Sequence, residues 1–265
     1  RLPAPFQGAE KSGHMSRTLL LSGACLAARS LLAAVDLSFG EVYLQTFAGH
    51  TNSLPAGWLA DVNGDPATPQ PDNGKSTAGR LYSYGEAGSD ERALGSLASG
   101  TARNIRYGVV LRNTTGFSVA EVAVACTGEQ WRCGAVGTTN TLVCRHAILA
   151  EAPASLAALE GTELPGLSFV SPTAGTVGAL DGNAATNRAA LAAVFAPVSE
   201  LRDGHCLVLW WHGTDAPGGD HGLAIDDLAI RWTALAPPAP EPRLLAFWHC
   251  NDVGGDATFK SLRPF

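Results

Sequence analysis

Short apolar runs separated by turn-rich stretches dominate this chain. The runs fall at residues 42–47, 105–111, 119–126, 141–149, 191–195, 206–211 and 223–232, and clusters of Gly, Asn, Thr or Pro divide them. Within 105–111, Ile105, Tyr107, Val109 and Leu111 alternate with other residues and share one face, the period of a half-buried strand. Runs this short, at this spacing, predict an all-β fold: a jelly-roll-like antiparallel β-sandwich with long loops. Two stretches break the pattern, because 152–159 and 188–194 are rich in Ala and Leu and favour helix by propensity. The first is expected to be a short surface helix in an inserted loop. The second stands where a strand is needed to complete a sheet, and strand is the expectation there.

The sandwich is expected to belong to a larger, exported polypeptide. The 265 residues are 46% hydrophobic, enough for one large β domain, and only 16% are charged, a proportion usual for secreted β proteins. Met15 is followed by Ser16-Arg17 and an apolar run from Thr18, with Ala33-Ala34 as a cleavage point, the layout of a secretory signal. The expected division is therefore 1–34 upstream residues and signal, 35–235 β-sandwich domain, 236–243 Pro-rich linker, and 244–265 the start of a further, truncated unit. The linker Ala236-Pro237-Pro238-Ala239-Pro240-Glu241-Pro242 is stiff, and the residues after it are too few for a core. No apolar stretch of 18 residues exists to span a membrane. A net charge of −6 with no basic stretch argues against nucleic acid as a partner. The expected location is secreted or at the cell surface.

In such a compartment the cysteines can pair. Cys25 falls in the leader, which leaves Cys126, Cys133, Cys144, Cys206 and Cys250, with no CxxC pair to suggest zinc or redox chemistry. Cys133 and Cys144 are expected to join across a hairpin whose tip is 134–140. Cys126 and Cys206 either pair or act as small buried apolar residues.

Candidate chemistry is sparse. No GxSxG, HExxH, P-loop or GxGxxG occurs, so the expectation is a protein that is not an enzyme. The most informative segment is Gly219-Asp220-His221-Gly222-Leu223-Ala224-Ile225-Asp226-Asp227-Leu228. Two carboxylates inside an apolar strand are costly unless solvated, paired or bound to a cation. Either Asp226 and Asp227, with Asp220, hold a structural calcium ion, or they are hydrogen-bonded aspartates fixing an edge. In a regular strand the pair points to opposite faces, unless a bulge re-aims one.

In Glu129-Gln130-Trp131-Arg132, Glu129 and Trp131 share one face. Trp131 is either a sugar-stacking platform with Glu129 or Arg132 as its polar partner, or a core residue. Asp61-Val62-Asn63-Gly64-Asp65 resembles half a calcium loop, but Pro66 occupies the turn position and an Asx-rich turn explains the pattern better. His212, Asp215, Asp220 and His221 fit no known ligand spacing and read as a solvated loop. Asn113-Thr114-Thr115 matches a glycosylation sequon.

A series of motifs carries a resemblance. Leu54-Pro55-Ala56-Gly57-Trp58, Gly79-Arg80-Leu81-Tyr82-Ser83-Tyr84-Gly85, Ser89-Asp90-Glu91-Arg92-Ala93-Leu94-Gly95-Ser96-Leu97, Thr127-Gly128-Glu129-Gln130-Trp131-Arg132, Leu180-Asp181-Gly182-Asn183 and the Asp226-Asp227 strand occur in that order. Over about residues 42–232 the series resembles a secreted domain of bacterial surface proteins, often sorted by PEP-CTERM-type signals, some with nuclease or phosphatase-like modules. The Leu223-Ala224-Ile225-Asp226-Asp227-Leu228 strand also looks like the last strand of MAM-type and adhesin-type jelly rolls, where an acidic pair can hold calcium. Such domains open with an acidic strand, whereas Thr46-Phe47-Ala48 stands in that place here. The resemblance implies a surface module for adhesion or carbohydrate binding, with a polysaccharide or cell-surface glycan as partner. The alternatives are a structural spacer or an accessory domain to an extracellular hydrolase.

Overall fold

The structure is a computed structural model describing residues 34–197 and 200–235. The expected leader, the Pro-rich linker and the unit from 244 onward lie outside the described residues. Ten strands carry the fold: β1 (Val42–Gln45), β2 (Trp58–Val62), β3 (Arg80–Tyr84), β4 (Ala93–Leu97), β5 (Asn104–Asn113), β6 (Val119–Cys133), β7 (Thr141–Leu149), β8 (Arg188–Phe195), β9 (Cys206–Thr214) and β10 (Gly222–Ala234). Strands of two or three residues flank them.

They form two sheets. Sheet I runs β7-β9-β5-β2, and sheet II runs β8-β6-β10-β4-β3, with β1 pairing the C-terminal half of β10. The pairings between these ten strands are antiparallel; short strands at Val35–Leu37 and Gln70–Asp72 add parallel ones to β5 and β3. The fold is all-β, a jelly-roll-like antiparallel sandwich with long loops. No helix among the described residues is long and apolar enough to cross a membrane.

Alternation builds the core, as the 105–111 pattern predicts. Ile105, Tyr107, Val109 and Leu111 of β5 point inward with Leu207, Leu209 and Trp211 of β9, all fully buried. Sheet II supplies Val122, Val124, Ile225 and Ile230 to the same cluster. Trp58 stacks on Trp211 with ring centroids 6.5 Å apart and meets the edge of Phe47 at 4.9 Å. The polar ends of both indoles are satisfied, since Trp58 donates to the Tyr43 hydroxyl at 2.7 Å and Trp211 to the Leu167 carbonyl at 3.0 Å.

The stretch at 188–194 is strand β8, as expected. The stretch at 152–159 is irregular rather than helical. It lies across the outer face of sheet I, where Leu156 packs with Val110, Cys206, Val208 and Trp210. Arg106 donates to the carbonyls of Leu156 and Ala157, bonds that anchor the stretch through its backbone. Eight residues are too few for a helix to hold by propensity, so the burial of Leu156, with Ala152 and Leu159 beside it, and the two Arg106 bonds decide the outcome. This cover also explains why Cys206 to Trp211 reads as an unbroken apolar run: both faces of β9 are buried.

Both cysteine pairings fail. Cys126, Cys133, Cys144 and Cys206 are free thiols. The expected hairpin does not exist, because β6 belongs to sheet II and β7 to sheet I. Cys144 faces the main core, while Cys133 donates its thiol proton to the Ala135 carbonyl at 3.4 Å. Cys206 lies under the 152–159 cover, on the opposite side of sheet I from Cys126. Nor is the Asn113 sequon open to a glycan, since that side chain is buried and donates to Phe117 and Leu201 carbonyls at 2.7 and 2.9 Å.

On the outer face of sheet I, His212 is paired in register with Arg106 and bonds Asn104 at 3.2 Å. Burial, then the Arg106 and Arg145 charges, push its imidazole down to about 4. The unfolded chain binds this proton near pH 6.5, so His212 favours the fold above that pH and disfavours it progressively down to about pH 4. In chemical denaturation the stability of His212→Gln relative to the wild type should therefore rise as the pH falls from 7 to 4.

Candidate cation site and end cleft

Strand β10 holds the acidic pair in a bulge. Asp226 pairs with Thr127 of β6 and Ala229 with Ala125, so three steps on β10 oppose two on β6. Asp227 absorbs the extra residue with φ +50°, a left-handed conformation that Asp tolerates. The bulge lets both carboxylates reach the outer face of sheet II. Asp227 ends 3.6 Å from the Arg188 guanidinium, and Asp226 is buried.

Asp226 has two companions. Carboxylate oxygens of Glu91, in the turn before β4, and of Glu129 on β6 lie with that of Asp226 within 4.8 Å of one another. Both Glu129 and Asp226 are at least nine-tenths buried. Each of the three keeps one buried oxygen with no hydrogen-bond donor: Glu91 Oε1, Glu129 Oε1 and Asp226 Oδ1. Their other contacts hold them in place. Glu129 Oε2 accepts the Trp131 indole proton at 3.0 Å, and Glu91 Oε2 accepts from Asn183 at 2.8 Å. Arg188 approaches Glu129 Oε1 to 3.2 Å, outside hydrogen-bond geometry.

One guanidinium cannot balance this much negative charge. Burial, followed by the charges of Asp227, Glu129 and Glu91, raises the Asp226 carboxyl to about 8. Burial raises Glu129 to about 7, against the opposing pull of Trp131 and Arg188. Such a cluster is neutralised by protons or by a cation. Three convergent carboxylates with orphaned oxygens suit a hard divalent ion, which takes oxygen ligands at about 2.3–2.6 Å. Of the predicted set, Asp226 belongs to this cluster. Asp227 borders it through Arg188, and Asp220 lies in the cleft described below, bonded to Asn140 at 2.9 Å. Glu91 and Glu129 take the places expected of Asp227 and Asp220.

Trp131 is no exposed platform. It is fully buried on the outer side of sheet II, stacked on Tyr84 at 5.9 Å and 5°. The Asp181-Gly182-Asn183 turn seals it so tightly that a Cβ on Gly182 would stand 2.3 Å from the indole. Asn183 nitrogen closes that turn on Asp181 Oδ1 at 3.0 Å, and the Asn187 amide donates to the Asp181 carbonyl at 2.8 Å. Sugar stacking at Trp131 is thereby corrected: no ring face is free, and Glu129 serves the carboxylate cluster.

Arg132, the third residue of the predicted binding set, reaches a different place. It donates to the Gly74 carbonyl at 2.9 Å and lines an open cleft of about 240 Å³ at one end of the sandwich. Thr77, Ser99, Asp215 and Asp220 complete its polar wall. The β6–β7 connection is pressed against the loop before β10, where a Cβ at Gly134 would strike the Asp220 carbonyl at 1.9 Å. Asp220 accepts from the Ala216 amide at 3.1 Å as well as from Asn140, and its carboxyl is raised by burial and by Asp215 beside it.

His221 does not join it as a metal ligand. It contacts Gln130 at 2.8 Å and Thr138 at 3.3 Å, while His212 sits on sheet I with Asn104. The 212–221 stretch is thus not a solvated loop throughout: Asp220 and His221 are buried. Asp61 accepts from Gly64 nitrogen at 3.1 Å, closing the Asx turn read from the sequence.

No known family's sequence profile matches this chain, and no curated protein matches it. Among solved structures, the likenesses are distant. One is a module named CBM61 in complex with β-1,4-galactotriose, 10% identical, covering 71% of this chain and 99% of its own, with a TM-score of 0.32. A non-crystalline cellulose specific carbohydrate-binding module, CBM28, is 11% identical over 76% of this chain and 98% of its own, at 0.32. The CBM22-1 and GH10 modules of a Clostridium thermocellum xylanase are 12% identical over 75% of this chain, at 0.35, and this chain spans 29% of that one.

Trp131→Ala should lower unfolding free energy by about 3–5 kcal/mol in urea titration, because it opens a cavity and orphans Glu129 Oε2. Unchanged stability would mean that the ring is not part of the core.

Proposed function

We propose that this chain is a non-catalytic β-sandwich module of a larger exported protein. It binds polysaccharide in the end cleft and is held in shape by a calcium ion at Glu91, Glu129 and Asp226. The cleft is the observation that carries this reading. Its wall presents a guanidinium, two carboxylates and two hydroxyls around about 240 Å³, so donors and acceptors of both kinds face one space. A neutral polyhydroxy ligand can satisfy both kinds at once. With no aromatic ring among these groups, recognition rests on hydrogen bonds. The net charge of −6 disfavours polyanions such as nucleic acid.

The calcium assignment rests on the three orphaned carboxylate oxygens, and its role is to join the turn before β4 to β6 and β10. The ion would stand outside the cleft, as a brace. Export is supported by the leader-like pattern starting at Met15 and by the low share of charged residues.

Affinity electrophoresis against a panel of neutral polysaccharides should retard the protein, and Asp215→Ala should abolish the retardation without changing the melting temperature. Failure of the wild-type protein to bind any member of the panel overturns the glycan reading.

Calcium is tested separately. Adding it at about 100 times its Kd should stabilise the fold by about 2.7 kcal/mol relative to chelator. Asp226→Asn should remove that gain while raising stability in chelator at pH 8, where the wild-type carboxyl must otherwise ionise in place. Equal melting with calcium and with chelator excludes the ion.

A further inference from the structure

The outer face of sheet II changes character along its strands. Beyond the carboxylate cluster, where β8, β6, β10 and β1 lie side by side, alternation demands a solvent-facing polar surface. The residues there are instead mostly apolar, with Arg231 the one charged side chain in the two rows that follow. One row across the four strands reads Ala192, Ala125, Ala229, Leu44, and the next reads Val194, Ala123, Arg231, Val42. Leu44 is 69% exposed, Val194 64% and Val42 50%. The inward partners on β8 and β1, Leu191, Ala193, Phe195 and Tyr43, pack on the main core, so the outward orientation of these rows is settled.

Four strands about 4.8 Å apart and a few residues long make a face on the order of 400 Å². Exposed apolar patches of that size on a monomer are often functional. We propose that this face docks on the same face of a second copy of the chain, as two sheets packed about 10 Å apart.

Shape and charge both favour a second copy. The β8 and β6 side of the face is built mostly of alanine and is low, whereas β1 raises Leu44 and Val42 as ridges. A two-fold axis along the strands, between β6 and β10, sets β8 of each copy over β1 of the other. Leu44 then lies over Ala192, Val42 over Val194, and Ala125 over Ala229. The same operation brings Arg231 over Ala123 of the other copy, two residues along the strand from Glu121, which pairs with Thr233 on β10. The one basic group in these rows therefore meets an acidic one across the axis, twice. A contact of about 400 Å² per copy is about half that of a stable interface, so the dimer is weak and depends on concentration.

Sedimentation velocity on the full chain tests this between about 5 and about 500 µM, where a dissociation constant near 10⁻⁴ M shows as a shift. The weight-average sedimentation coefficient of the wild type should rise toward a dimer. Ala125→Arg, a change at an exposed position, should keep it monomeric throughout with an unchanged melting temperature. Arg231→Glu should weaken association on the order of tenfold, and adding Glu121→Arg should restore it. A wild type that stays monomeric at the highest concentration overturns the proposal, as does an Ala125→Arg variant that associates like the wild type.

Discussion

Strand β10 changes partners partway along its length, and the two halves of sheet II depend on how it does so. Leu223 to Ile225 pair with β4, and Leu228 to Arg231 pair with β1. Asp226 and Asp227 fall in the gap, where no neighbour on that side supplies ladder bonds. An extra residue is accommodated there at small cost to pairing, and the left-handed Asp227 restores the inward aim of Leu228 and Ile230. Without the bulge, every side chain of the second half would turn to the wrong face, with Leu228, Ile230 and Trp232 in water. The acidic pair is therefore bound up with register before any ion is considered.

That gap also explains why the carboxylates are buried. Glu91 stands at the entrance to β4, the strand that ends the first half of the pairing, and Glu129 stands on β6 opposite Ala224. The Leu180-Asp181-Gly182-Asn183 turn closes over Trp131 and bonds Glu91 through Asn183. One cover thus seals an aromatic pair and a cluster of charges together. The aromatic part is satisfied by Tyr84 and by the Glu129 acceptor. The charged part is left with three orphaned oxygens, and these ask for a counter-charge that Arg188 alone does not provide.

Local pattern carried much of the fold. Period-two alternation found β5 and placed Glu129 and Trp131 on one face, and β8 emerged against its helical propensity because an edge position required it. What local pattern could not supply was the assignment of strands to sheets. Cys133 and Cys144 look like hairpin neighbours in sequence, but β6 and β7 face different layers. Whether the face bearing Trp131 is open or sealed depends on a turn some fifty residues later, whose own sequence reads only as an Asx turn. Glu91 carried no signal of its own, since nothing in Ser89-Asp90-Glu91-Arg92 distinguishes a ligand from a solvated turn. Only the partner exchange on β10 brings it to Asp226.

Strand β6 links the three surfaces described above. Its fifteen residues place Ala123 and Ala125 in the bare apolar face, Glu129 in the carboxylate cluster and Arg132 at the cleft. A strand this long crossing a sandwich normally buries one side only, yet the outer side of β6 is open at one end and sealed at the other. The transition falls at Thr127, directly opposite Asp226. The bulge therefore marks the boundary where the outer face stops being covered by its own loops and is left free for another surface. A brace at that boundary, whether proton or cation, holds the sealed half in register with the open half, so cleft and apolar face are positioned by the same few backbone contacts.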